Sequence, residues 1–122
     1  MQKKLIEKNP LLKLSIEFSI MILEYADLLD TLRKYTLSKQ VVRSGTSIEA
    51  NAMEAHNVES KADFIHKIKI AAKEADETQY WLTLCDYANN YPDTKIIAAK
   101  LIELQKIINA ILGTSKRKSP LS

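Results

Sequence analysis

Residues 64–85 read FIHKIKIAAKEADETQYWLTLC. Phe64, Ile68, Ala71, Ala75, Thr78, Leu82 and Cys85 alternate in steps of four and three, so they share one face of an α-helix. Ser60 followed by Asp63 resembles a capping box with Asp in place of Glu, which starts this helix near residue 61. It is expected to run to about Asn89. At about 1.5 Å per residue, such a helix spans roughly 45 Å and serves as the spine of the fold.

Upstream, Thr36 is positioned to cap a helix from about Leu37 to His56. Its seam is Val41, Gly45, Ile48, Ala52 and Ala55, mostly small residues. Glycine inside a helix costs about 1 kcal/mol relative to alanine, which makes sense if another helix passes close to Gly45. Further upstream, Asn9-Pro10 supplies a cap and a proline at the first helical position. Leu11, Ser15, Phe18, Ile22, Tyr25, Leu29 and Leu32 then mark a helix ending near Lys34 or Tyr35. Downstream, Tyr91-Pro92-Asp93 reads as a turn. A last helix, with seam Ile97, Leu101, Leu104, Ile108 and Ile111, follows to Leu112, where Gly113 can end it.

The fold class read from this pattern is all-α: an antiparallel up-down-up-down four-helix bundle over residues 9–113. Residues 1–8 are a basic N-terminal segment, and residues 114–122 are expected to be a basic flexible tail. Only 2 glycines and 3 prolines in 122 residues argue against a sandwich, a barrel or a phosphate-cradling loop. The formal charge of +3 lies at the ends, since residues 9–113 hold fewer basic than acidic side chains. Cys85 is the single cysteine, so no intrachain disulfide can form, and its place on the seam suggests a buried thiol. Lys13, Glu17 and Glu24 interrupt the first apolar run, which excludes a signal-peptide or membrane-span reading and leaves the cytoplasm as the expected location.

Two outer helices are apolar on more than one stripe. Leu14, Ile20, Met21 and Leu28 lie off the seam of the first, and Ile96 and Ile107 off that of the last. A surface helix needs an apolar arc only slightly over 100° wide, so the excess implies self-association.

Little in the sequence supports catalysis. No Glu-x-x-His pair is present, and Asp63 with His66 reads as an exposed polar pair at a helix start. His56 sits near a helix end, where a cation suits the dipole. Arg43, Ser47, Asn51 and Glu54 share one helix face, and Glu74 and Glu77 line a row with Ile70, Trp81 and Leu84. These six polar residues read as a structural network fixing helix register. Paired carboxylates for acid–base work or metal binding are the alternative, although no further ligand or nucleophile accompanies them. No cofactor is implied.

Three segments carry a family resemblance: RSGTSIEANAMEA from Arg43 to Ala55, SKADF from Ser60 to Phe64, and KEADETQYWLTL from Lys73 to Leu84. Together they resemble the four-helix-bundle proteins of the 23S ribosomal-RNA intervening-sequence family, over roughly residues 12–112. The family often has glycine where this chain has Ala55. The resemblance implies an antiparallel four-helix bundle, homo-pentameric assembly and no enzymatic activity. It also implies kinship with accessory proteins of diversity-generating retroelements, which bind a reverse transcriptase and nucleic acid.

Two functional classes follow. One is a non-enzymatic oligomer binding RNA or DNA through Lys67, Lys69, Lys73, Lys116, Arg117 and Lys118. The other is a scaffold or adaptor for a protein partner, such as a reverse-transcriptase accessory subunit.

Overall fold

The computed structural model describes residues 3–117, with side chains to residue 114. It contains α1 (Lys3–Lys8), α2 (Pro10–Thr31), α3 (Tyr35–Asn57), α4 (Lys61–Tyr87) and α5 (Lys95–Arg117). The described residues include no strand. α2 to α5 are the four expected helices, and α1 adds a short turn of helix within the basic N-terminal segment. Leu5 of α1 packs on the core, which gives this segment a reason to fold.

The α1–α2 break follows from local chemistry. Asn9 is extended, and its side-chain oxygen accepts from the amides of Leu11 at 3.0 Å and Leu12 at 3.2 Å. Pro10, which has no amide hydrogen, occupies the first helical position, where none is needed.

α2 ends earlier than the sequence suggests. Lys34 N–H donates to Leu29 O at 2.8 Å and Arg33 N–H to Asp30 O at 2.9 Å, the paired bonds of a Schellman motif. Arg33 takes the left-handed conformation this turn requires, with φ 59°. The chain then enters α3 directly from Lys34, with no side-chain cap. Thr36 therefore lies inside α3 and does not cap it. The turn closes too tightly to leave Thr36 outside.

Contacts between successive helices run antiparallel. Ser38 Oγ donates to Ala26 O across α2–α3, and Thr78 Oγ1 to Ser44 Oγ across α3–α4. Gln105 Nε2 donates to Asp76 across α4–α5. Lys100 pairs with Glu17 across α5–α2, and Tyr25 Oη donates to Pro92 O at 2.8 Å, closing the bundle. Phe18, Ile22, Leu29, Ile48, Ile68, Leu101 and Leu104 form its fully buried centre.

α3 lies close against α2 at Gly45. A β-carbon there would meet Ile22 Cγ1 at 2.7 Å, in keeping with the close approach that the sequence implies. Ser44 and Thr78 meet in the same layer, both fully buried, with 2.9 Å between their hydroxyl oxygens.

Two expectations at the C-terminus are corrected. α5 does not stop at Gly113, no described glycine has positive φ, and the helix continues to Arg117. The tail expected from residue 114 therefore begins as helix. Ile111 and Leu112 pack against the core and carry α5 through the glycine, which permits a left-handed stop without enforcing one. Residues 118–122 lie outside the described structure.

Cys85 is buried, and burial pushes its thiol pKa up, which keeps it protonated and unreactive. Among the described helices, none is long and apolar enough to cross a membrane.

Gly45→Ala should lower stability by about 1–2 kcal/mol, because displacing Ile22 outweighs the helix-propensity gain. Urea unfolding checks this, and in the Ile22→Ala background the added loss should shrink. A second test concerns Glu49, whose Oε1 is buried without a hydrogen-bond partner and whose pKa burial raises. A raised folded-state pKa means that stability is highest below the ordinary carboxylate range and falls as pH rises through the folded value. Glu49→Gln should therefore raise the thermal midpoint at neutral pH. The gain should fade below about pH 4, where both forms are uncharged.

Candidate functional site

The only interhelical cluster of charge with more than one ion pair among the described residues lies across α3 and α4. Arg43 NH1 lies 3.4 Å from Glu74 Oε2, and its NH2 pairs with Glu77 Oε2. Its Nε donates to Gln40 Oε1 at 3.2 Å. Helical spacing explains the geometry. Glu74 and Glu77 are three residues apart on one face of α4, so one guanidinium can reach both. Trp81, a turn further along, donates its indole N–H to Glu77 at 3.3 Å. Tyr80 packs beside it with ring centroids 4.9 Å apart.

The six polar residues do not form one network. Arg43, Glu74 and Glu77 come together. Ser47 instead donates to the Arg43 carbonyl and Asn51 to the Ser47 carbonyl, each within its own helix. Glu54 lies farther down α3 and pairs with Lys67 at 3.4 Å. The buried polar link that does cross helices is Ser44–Thr78, in which Thr78 Oγ1 donates to Ser44 Oγ and Ser44 donates to the Gln40 carbonyl at 2.9 Å. Sequence reasoning counted Thr78 as seam and missed Ser44. The available signal was a hydroxyl three residues after Val41 and four before Ile48, on the buried side of α3.

Chemically, the cluster offers two carboxylates already held by one cation and an indole. No group of three or more His, Cys, Asp or Glu that could hold a metal occurs among the described residues. Asp63 and His66 are exposed, and the Asp63 amide is taken by the Ser60 cap at 3.0 Å. Of the expected basic contacts, Lys69 and Lys73 are exposed, while Lys67 is engaged with Glu54. Lys116 and Arg117 sit on the last turn of α5, their side chains outside the described set, and Lys118 lies beyond it.

A second feature is apolar. Ile20, Leu23 and Leu28 of α2, its C-cap Leu32, and Ile96 and Ile102 of α5 are exposed, Ile96 to 77%, with Ile102 bordering α4. Leu14, Met21 and Ile107 are half-buried and pack on the core. Met21, Leu28 and Ile96 line a shallow groove between α2 and α5. Through Leu28 it adjoins a second depression bounded by Leu32, Tyr91 and Pro92.

This helical arrangement resembles that of known proteins. The sequence pattern of the 23S rRNA-intervening sequence protein family matches residues 7–110. The chain belongs to this family. A solved structure of a protein of unknown function from the S23 ribosomal protein family of Bacteroides thetaiotaomicron VPI-5482 is similar to it, with 38% identity and a TM-score of 0.79. The likeness covers 84% of this chain and 97% of that one. No curated protein matches the sequence.

Burial orders the consequences of mutating the charged cluster. Arg43 is 49% exposed, but Glu74 only 15%. Arg43→Ala leaves two carboxylates without their cation and should cost about 1–2 kcal/mol. Glu74→Gln leaves Arg43 with Glu77 and should cost less than about 1 kcal/mol. Thermal unfolding with and without Mn²⁺ checks both the order and the alternative, since a metal site would raise the wild-type midpoint and lose that rise in Glu74→Gln.

Proposed function

We propose that this member of the intervening-sequence family is a non-enzymatic, cytoplasmic bundle that assembles with copies of itself and binds nucleic acid. The observation that carries the assembly is the apolar surface on α2 and α5, which the bundle leaves exposed. Exposed apolar side chains gathered on two helices of a small protein mark an interaction face, since the buried core of an interface is more apolar than the rest of a protein surface. A pentamer is the assembly implied by resemblance. The proposed absence of catalysis is supported by the state of the charged cluster, whose carboxylates are committed to Arg43.

A second reading, a scaffold for a different protein, is favoured by a separate row on α4. Tyr80, Leu84 and Tyr87 are exposed there, Tyr87 to 84%, beside the half-buried Trp81. Tyrosine and tryptophan are enriched where protein interfaces concentrate their binding energy.

Light scattering at micromolar concentration should give a mass several times that of the chain. Ile20→Glu with Ile96→Glu should reduce it to the monomer without loss of helical circular dichroism. A monomeric wild type would sink the assembly. Retention of the mass in the double variant would move the contact to another face, with the α4 row the next to test.

A further inference from the structure

The fold sorts charge along the bundle axis in a way that the linear sequence hides. The starts of α2 and α4 and the ends of α3 and α5 share one end of the bundle, and α1 adjoins it. Residues 3–20, 47–73 and 106–114, whose described side chains form this half, hold 9 basic and 6 acidic ones. Residues 21–46 and 74–105, the other half, hold 6 basic and 9 acidic ones. The acidic excess of the folded body therefore belongs to one half alone.

Pairing sharpens the contrast. In the basic half, Glu17 is committed to Lys100 and Glu54 to Lys67. Glu49 is partly buried. Lys8, Lys13, Lys61, Lys69, Lys73 and Lys106 are all exposed, and among the described residues none of them makes an ion pair. Against them stand the exposed acids Glu7, Glu59 and Asp63. A helix of about 22 residues separates the two ends by about 33 Å. That is several times the screening length of about 8 Å at physiological salt, so the acidic end does not cancel the field of the basic one.

We propose that this basic end, ringed by Lys8, Lys13, Lys61, Lys69 and Lys106, is a binding site for the phosphodiester backbone of a nucleic acid. The site rests on the nucleic-acid reading above and places it away from the α2–α5 apolar surface. What chooses a polyanion over other acidic partners is the scarcity of exposed large apolar side chains among the described residues of this end. Of the exposed large hydrophobic residues, all but Ile20 lie in the acidic half. A bilayer surface would be engaged by apolar side chains inserted beside the charges, and a protein partner by an apolar interface core. The described cations of this end are all lysines, which meet phosphates as point charges and do not read bases by a planar fork. Binding is thus independent of sequence. Neutralising about four phosphates makes a fourfold rise in salt weaken binding by about 100-fold.

The test uses the full-length chain and fluorescein-labelled RNA and DNA duplexes of about 20 base pairs at low salt, long enough for several lysines to meet phosphates. Two double variants change net charge equally: Lys13→Glu with Lys61→Glu at the basic end, and Lys39→Glu with Lys95→Glu at the acidic end. The first should weaken binding at least tenfold and the second less than twofold, with solution mass and circular dichroism unchanged in both. Equal losses would overturn the site while leaving the nucleic-acid reading intact. Failure of the wild type to bind either duplex would overturn both. Phosphatidylserine vesicles that bind as tightly as the duplexes, and lose binding in the first variant, would reassign the surface to lipid.

Discussion

The bundle depends on how closely α3 can approach its neighbours. At Gly45 the α2–α3 distance is set by Ile22, whose side chain fills the space a β-carbon would take. One residue earlier, Ser44 faces α4 and meets Thr78 in a fully buried contact. α3 presents Ser38, Ser44, Gly45, Ala52 and Ala55 to its partners, and these small residues let it sit deep between α2 and α4. The large side chains of the core come mainly from α2 and α5. The price is a seam with little apolar area of its own. Ser44 donates there to the Gln40 carbonyl of the preceding turn and Thr78 donates to Ser44 Oγ, so the polar contact leaves no buried donor unmet.

Much of this was legible in the sequence because helices repeat. The seam of α4 from Ile68 to Cys85 and the close approach at Gly45 follow from periodicity and from the cost of glycine in a helix. What was not legible depends on turns and on which helix a polar side chain reaches. Arg33 is not a residue that signals a left-handed stop, yet it makes one, because the bonds from Arg33 and Lys34 back to Asp30 and Leu29 repay its backbone strain. Gly113 carries the signal and does not act on it, since neighbouring core contacts hold the helix.

The polar residues teach the same lesson at the site. Spacing placed Arg43, Ser47, Asn51 and Glu54 on one face, but a shared face does not say whether a side chain crosses to the next helix. Ser47 and Asn51 are short and satisfy themselves on their own helix, as such residues do when a carbonyl four residues back is in reach. Arg43 is long enough to cross, and the two carboxylates on α4 give it reason to. Side-chain length, more than periodicity, separates the bridging residue from those that stay home.

The relation between the apolar faces and the basic end bears on what assembly would accomplish. The α2–α5 surface and the α4 row lie on different sides of the bundle, because α2 and α4 each contact α3 and α5 and not one another. Two different faces suit a heterologous contact, in which one side of a copy meets the other side of the next and the chain of copies closes into a ring. In such a ring rotation carries each copy onto the next, so all the basic ends lie on one circle and all the acidic ends on another. A two-fold contact whose axis runs across the bundles would instead set neighbouring axes in opposition, dividing the lysines between two surfaces. Charges that are weak singly gain effective concentration only when one polyanion can reach several of them at once. A common circle meets that condition, so the polarity of the bundle acquires a use in a cyclic assembly that it lacks in the monomer.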